Sequence, residues 1–199
     1  MTQRRTREEI DNIRARLVAA ARKIVLRDGA RAMTMRAVAQ EANCAVGLPY
    51  KFFANREEIV LEVIAIDLGR ITKKLDAWVK KAGKGSIGGN LDQFATIFLS
   101  SHVPALMQAN QLDDELFMRK LEHATEESGI VRTFDDAVAE YLAIEQGLGR
   151  IRADIDTHAF GFLITGAIHN LVVAGSQYPR PSRAALRRHL NACATAIGA

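Results

Sequence analysis

A chain of 199 residues suffices for one large or two small domains; 48% hydrophobic content with only 6% aromatics and four prolines favours helices over strands. No apolar run reaches the ~18 residues of a membrane span, and the amino terminus "MTQRRTREEIDNIRARL" is too polar for a signal peptide, so a soluble, cytoplasmic protein without membrane contact is expected. Cys44 and Cys193 lie far apart with no partner spacing, which predicts neither a disulfide framework nor a zinc site. The net charge of +4 is unevenly divided: residues 1–55 hold eleven Lys/Arg against five Asp/Glu, a net +6, and residues 56–199 hold sixteen against eighteen, a net −2. A basic surface localised in this way is the footprint of a polyanion partner; a solvated basic tail is the alternative.

From Arg7 to Asp28, Ile10, Ile13, Leu17, Ala20, Ala21 and Ile24 recur at helical steps and form one apolar face, with Gly29 as C-cap. Thr34 stands as N-cap before "MRAVAQEA", a short helix with Val38 and Ala39 inward, and Asn43 tolerates a left-handed turn after it. A third short helix is expected inside "ANCAVGLPYKFFANREE", residues 42 to 58, although Gly47 and Pro49 are poor helix formers. Asn55 caps a fourth helix, with Glu58 at the position that reaches back. Val60, Ile64, Leu68, Ile71, Leu75 and Trp78 carry that helix to about Lys81.

"GKGSIGG", residues 83–89, reads as a flexible break. It is no P-loop, because no glycine lies five residues before a Gly-Lys-Ser/Thr. Nor is it a nucleophile elbow, because Lys84 occupies the place of the first glycine. Helical segments follow at about 90–108, 112–127, 130–148, 156–175 and 182–197, with Pro104 kinking or ending the first and Asp156 and Ser182 as caps. About nine helices and no strand are expected.

A short helix, a turn and a second short helix in a basic region make the helix-turn-helix arrangement, whose second helix enters the DNA major groove. "TMRAVA" followed by "GLPYKFFANREEI" resembles the amino-terminal domain of the TetR family of transcriptional regulators. The shared features are Thr before a short helix ending in Ala, Gly-x-x-Tyr-x-x-Phe, and Asn-Arg-Glu opening the next helix. This match covers about residues 14 to 65; the remainder is similar in helix count and in "GRIRADID" ahead of a long helix. Ala45 and Asn43 depart from the family, which often has Ser or Thr at the first place and Gly at the second.

The resemblance implies an all-α protein with a three-helix DNA-binding domain at 1–70, its motif at about 34–53, and a larger effector-binding and dimerisation domain at 71–199. It further implies a ligand-responsive repressor acting as a homodimer on a palindromic duplex operator, or an activator of the same fold, without a cofactor. Ala45 to about Phe53 becomes the recognition helix. Gly47 and Pro49 then fall in its first turn, where proline is tolerated and glycine lets backbone approach DNA. Pro49 disfavours helical geometry at Leu48, so the regular helix is expected to begin late.

Ala45, Val46, Gly47, Leu48 and Pro49 bear no hydrogen-bonding side chain, whereas bidentate base readout needs Arg, Lys, Asn or Gln. Direct readout is therefore expected through thymine methyls, helped by Lys51 or Arg36. Thr34, Tyr50, Lys51 and Arg56 suit phosphates, as the matching family positions suggest, and Asn55 completes the DNA-facing set. For Tyr50, Lys51 and Arg36, ordinary surface or core packing is the competing reading; Phe52 and Phe53 are expected in the core.

The carboxy-terminal part, by the same resemblance, holds an effector pocket for a small molecule and the dimer interface. Phe94, Phe98, His102, Met107, Phe117, Met118, Tyr141, Phe160 and His169 are candidates for lining it, filled core being the alternative for each. The segments 156–175, with Ala159, Gly161, Gly166, Ala167 and Ala174, and 182–197, with Leu186, Leu190, Cys193 and Ile197, are expected to pair across a two-fold axis. No His-Glu-x-x-His or Glu-x-x-His pair occurs and the five histidines are scattered, so no catalytic residue or metal ligand is assigned. A helical enzyme with a dispersed site or a protein-binding adaptor is the alternative class, and the segregated basic charge disfavours the adaptor.

Overall fold

The structure, a computed structural model, describes residues 7–101, 119, 123, 133–173 and 180–199. Among these residues are seven α-helices and no strand: α1 (Arg7–Asp28), α2 (Met35–Glu41), α3 (Arg56–Val79), α4 (Ile87–Leu99), α5 (Phe134–Gly147), α6 (Thr157–Val173) and α7 (Arg183–Ile197). The described residues are all-α, as expected. Of the expected nine, the segment at 112–127, apart from Arg119 and His123, and the end of the one at 90–108, with Pro104, lie outside the described residues. The third short helix is replaced by a 3-10 turn at Pro49–Lys51. The described residues form two units, one from 7–68 with Arg119 and His123 and one from 69–101 with 133–173 and 180–199, so α3 contributes to both.

In the first unit α1 packs on α2 and buries Leu17, Val18, Ala21 and Ile24; Met33, Met35, Val38 and Ala39, and Phe53, Ile59, Val60, Val63 and Ile64, are buried in the same unit. The outer end of the α1 stripe stays in solvent, Ile10 being 42% exposed. Gly29 ends α1 with φ 84°, and its N–H donates to the Val25 carbonyl at 3.1 Å. The Thr34 hydroxyl accepts the Ala37 N–H at 3.1 Å and starts α2. Asn43 takes the left-handed conformation, φ 51°, in the turn that follows. At α3 the Asn55 side chain accepts the Glu58 N–H at 3.0 Å, while Glu58 reaches back to the Ala54 N–H at 2.7 Å, one residue earlier than a capping box requires.

The second unit is built on Trp78, whose ring lies 5.1 Å from Phe94 and 4.5 Å from Tyr141. Its indole N–H donates to the Asn90 carbonyl at 2.7 Å. The stretch 83–89 is not a flexible break: Ser86 caps α4 at the Gly89 N–H, and Gly88 and Gly89 lie within the helix. Gly88 is required by packing, because a Cβ there would sit 2.0 Å from the Asn191 side chain and 3.1 Å from its Cα. Gly161 likewise serves contact within the chain, its absent Cβ standing 2.8 Å from the Asp135 carbonyl of α5. Gly166 faces open space, and Ala159 and Ala167 are exposed; Ala174 lies outside the described residues.

A buried polar network ties loops to helices. Glu145, 0% exposed, accepts the Tyr141 hydroxyl at 2.7 Å and pairs with Arg150 at 3.0 Å. The Asn90 amide donates to the Tyr141 oxygen at 3.0 Å and to the Lys84 carbonyl at 2.8 Å, and Arg150 donates to the Gly85 carbonyl at 2.6 Å. Burial first, and then the Glu145 carboxylate, push the Tyr141 phenol above its ordinary value. An isolated antiparallel bridge joins Ile151 to Gly198, so "GRIRADID" fastens the carboxy terminus.

Candidate nucleic-acid interface

The segment between α2 and α3 is a tight turn closed by short-range bonds. The N–H of Leu48 donates to Ala45 at 2.8 Å, that of Lys51 to Leu48 at 3.0 Å, and those of Phe52 and Phe53 to Pro49 at 3.0 and 2.9 Å. Pro49 has no N–H to give, so an α-helical ladder is interrupted there and the turn tightens to 3-10. In place of the expected recognition helix from Ala45 to Phe53, the chain forms a tight turn, and only its exit, the bond from Phe53, has α-type spacing. Leu48 corrects a second expectation. Despite the following proline it is helical, φ −68° and ψ −44°, with its N–H bond to Ala45 offsetting the steric preference.

Which side chains the turn offers follows from burial. Pro49 and Phe53 are buried, and Leu48 and Phe52 are half-buried. Val46 is 49% and Tyr50 59% exposed, and Ala45, Gly47 and Lys51 are exposed beside them. None of the described residues stands within 4 Å of the place a Gly47 Cβ would take, so their packing does not demand glycine there. Arg36 is exposed in the first turn of α2. Three of the other expected contact residues hold structural bonds: Thr34 and Asn55 cap helices, and Arg56 donates through Nε to the Met33 carbonyl at 2.7 Å.

The basic surplus also divides once the fold is known. Arg14 pairs with Glu62, Arg22 with the buried Asp67, Lys23 with Glu41, and Arg27 with Asp28 and Glu41. Arg16, Arg31, Arg36 and Lys51 are exposed and form no ion pair with the described residues. Sequence reading gives no signal for Arg14, whose Nη1 donates to the Phe52 carbonyl at 3.1 Å and whose Nε donates to Glu62 at 2.8 Å. Those partners lie 38 and 48 positions away. The Glu62 bond is the main cause of a guanidinium pKa raised above its ordinary value.

Among the expected effector-pocket residues, Phe94 and Tyr141 pack around Trp78, and Phe98 lies 6.3 Å from Phe94 with His169 edge-on at 6.0 Å. Phe160 lines a different feature, a groove of about 480 Å³ between α6 and α7 shared with Leu163, Ile164, Ala167, Leu190 and Cys193. His102, Met107, Phe117 and Met118 lie outside the described residues. Among the described residues no three His, Cys, Asp or Glu are grouped to hold a metal, and no helix is long and apolar enough to cross a membrane.

Residues 17–63 match the family model of bacterial regulatory proteins, tetR family. A comparison with curated proteins finds no match. A Mesorhizobium loti protein assigned to the tetR family of transcriptional regulators is 21% identical, with 96% of each chain covered and a TM-score of 0.67. A TetR-family regulator from Cytophaga hutchinsonii is 12% identical, with 98% of each covered and a TM-score of 0.70. The Bacillus subtilis regulator FadR, solved with stearoyl-CoA, is 18% identical, with 91% of this chain and 95% of that chain covered and a TM-score of 0.59. At these identities the likeness is one of fold. Residues 17–63 are a tetR-family domain, on a chain with the fold of tetR-family transcriptional regulators.

Proposed function

We propose that the protein is a sequence-specific DNA-binding transcriptional regulator, a cytoplasmic homodimer that represses from a palindromic site and releases it on binding a small molecule. The observation that carries this reading is the turn at 45–53: Val46 and Tyr50 stand out in solvent, Gly47 has open space beside it, and Arg36 before them and Lys51 after them in the sequence are exposed cations. An apolar tip with cations in the same motif suits methyl contacts in the groove together with phosphate contacts. Thr34, Asn55 and Arg56 join the interface through backbone they already organise. Dimerisation through α6 and α7 is supported by the groove between them and by the absence of any Asp, Glu, Lys or Arg from α6. The ligand response is supported by FadR, solved with stearoyl-CoA. Since α3 is one uninterrupted helix from Arg56 to Val79, it is the element through which occupancy would reach the turn.

Duplexes recovered by the protein from a random-sequence pool, then titrated against salt, test this directly. Binding should be palindromic and should weaken steeply with salt. Lys51→Ala should weaken binding to all duplexes about equally and lower the magnitude of the salt slope by roughly 1 per subunit. A helical enzyme or adaptor predicts no salt-sensitive retention, and that result removes the proposal.

A further inference from the structure

We infer that Arg14, on α1, is a positioning residue of the recognition turn: it fastens the exit of the turn to the start of α3 and so sets the attitude of Val46, Tyr50 and Lys51. The inference rests on the DNA-binding reading above and assigns part of its geometry to a residue outside the turn.

One guanidinium ties α1 to two other elements, the turn and α3. Nη1 donates to the Phe52 carbonyl at 3.1 Å, Nε donates to Glu62 Oε2 at 2.8 Å, and Nη2 lies 2.6 Å from the same oxygen and 3.7 Å from Glu58 Oε1. Its plane covers the Phe53 ring, 4.5 Å from the centroid, and Phe53 is 1% exposed. Phe52 closes the turn, its own N–H bonded to the Pro49 carbonyl. The turn's own backbone bonds join residues three or four positions apart, and the donor from α1 restrains its exit from outside, at a carbonyl 38 positions away. Glu58 adds to the clasp by accepting the Ala54 N–H at 2.7 Å.

An ion pair whose arginine is 38% exposed contributes little by itself. A planar fork that stacks on one ring and donates to separated acceptors contributes geometry, which a single ammonium does not reproduce. Arg14 thus belongs to the basic surplus in composition and to the architecture of the turn in space.

The test uses the full chain and the duplexes recovered from a random pool by the wild type. Arg14→Met keeps an apolar stem over Phe53 and removes the donors. It should weaken binding about tenfold, the scale of a lost charged hydrogen bond, leave the salt slope unchanged, and shift the Phe52 carbonyl carbon resonance. Glu62→Gln, which loosens the anchor and leaves Arg14 in place, should weaken binding in the same direction, and the double variant should be no worse than Arg14→Met alone. Should Arg14→Met fail to fold, the Glu62→Gln arm decides. Arg14→Met binding within about twofold of wild type overturns the inference alone. So does a slope lowered by roughly 1 in Arg14→Met with undiminished binding by Glu62→Gln, because that marks a direct phosphate contact. A wild type that recovers no duplex overturns the DNA-binding reading and this inference with it.

Discussion

Replacing Leu163 with Glu is expected to leave a folded monomer with at least ~100-fold weaker affinity for a palindromic duplex. The sequence of α6 contains no Asp, Glu, Lys or Arg, so it lacks the charged outer face of an ordinary surface helix. In the single chain it is covered on one side only: Phe162 is 68% exposed and Leu163 60%. Covering each such side chain contributes roughly 1.5–3 kcal/mol, and a two-fold interface counts every residue twice. An unpaired carboxylate in that interface reverses the sign. The monomer should nonetheless keep its helicity, since Leu163 contributes little to its own chain's core. Deleting residues 180–199 is a poorer probe, because Leu186, Leu190 and Ile197 are buried within the chain and their loss opens its core. Sedimentation and duplex titration on Leu163→Glu check the assignment; a variant that stays dimeric and binds like wild type places the interface elsewhere.

Glu145→Ala should have the largest effect on stability, about 3 kcal/mol, or roughly 6–12 °C in melting temperature. The variant strands the Tyr141 hydroxyl and leaves Arg150 without its carboxylate in a site where Glu145 itself is 0% exposed. Arg150 is 31% exposed and can turn toward water, so the cost stays at the lower end for a broken buried pair. Glu145→Gln keeps an acceptor for Tyr141 and should lose clearly less. Thermal unfolding of both variants checks this. Equal melting of Glu145→Ala and wild type would show that the network is not a structural fastener.

What was legible in the sequence is what local chemistry determines. The α1 stripe, the caps at Thr34, Asp156 and Ser182, the stop at Gly29 and the left-handed Asn43 each follow from residues within a few positions of one another. The features that were not legible depend on distant partners. Gly88 looks like linker glycine until Asn191 is found against it, and Gly161 looks like an interface residue until α5 closes on it. Arg14 is one basic residue among eleven in residues 1–55 until Phe52 and Glu62 arrive beside it. The break in regular helix at Gly47 and Pro49 was legible and the shape of the turn was not, because the missing N–H of Pro49 determines which bonds can form. Phe94 and Tyr141 show the same limit from the other side: apolar character fits a cavity wall and a filled core equally well, and here they pack around Trp78.

The central claim is that the apolar tip reads duplex DNA, and exchange of thymine for uracil in the recovered duplex tests it most directly, because only the methyl group is removed. At the thymines that meet Val46 and Leu48, uracil should relax binding by the wild type, and Val46→Ala or Leu48→Ala should relax it at the same positions without changing the salt slope. Uracil duplexes bound as tightly as the parent, together with loss of preference at one base pair in Arg36→Ala or Lys51→Ala, would contradict the account and assign readout to a cation on guanine.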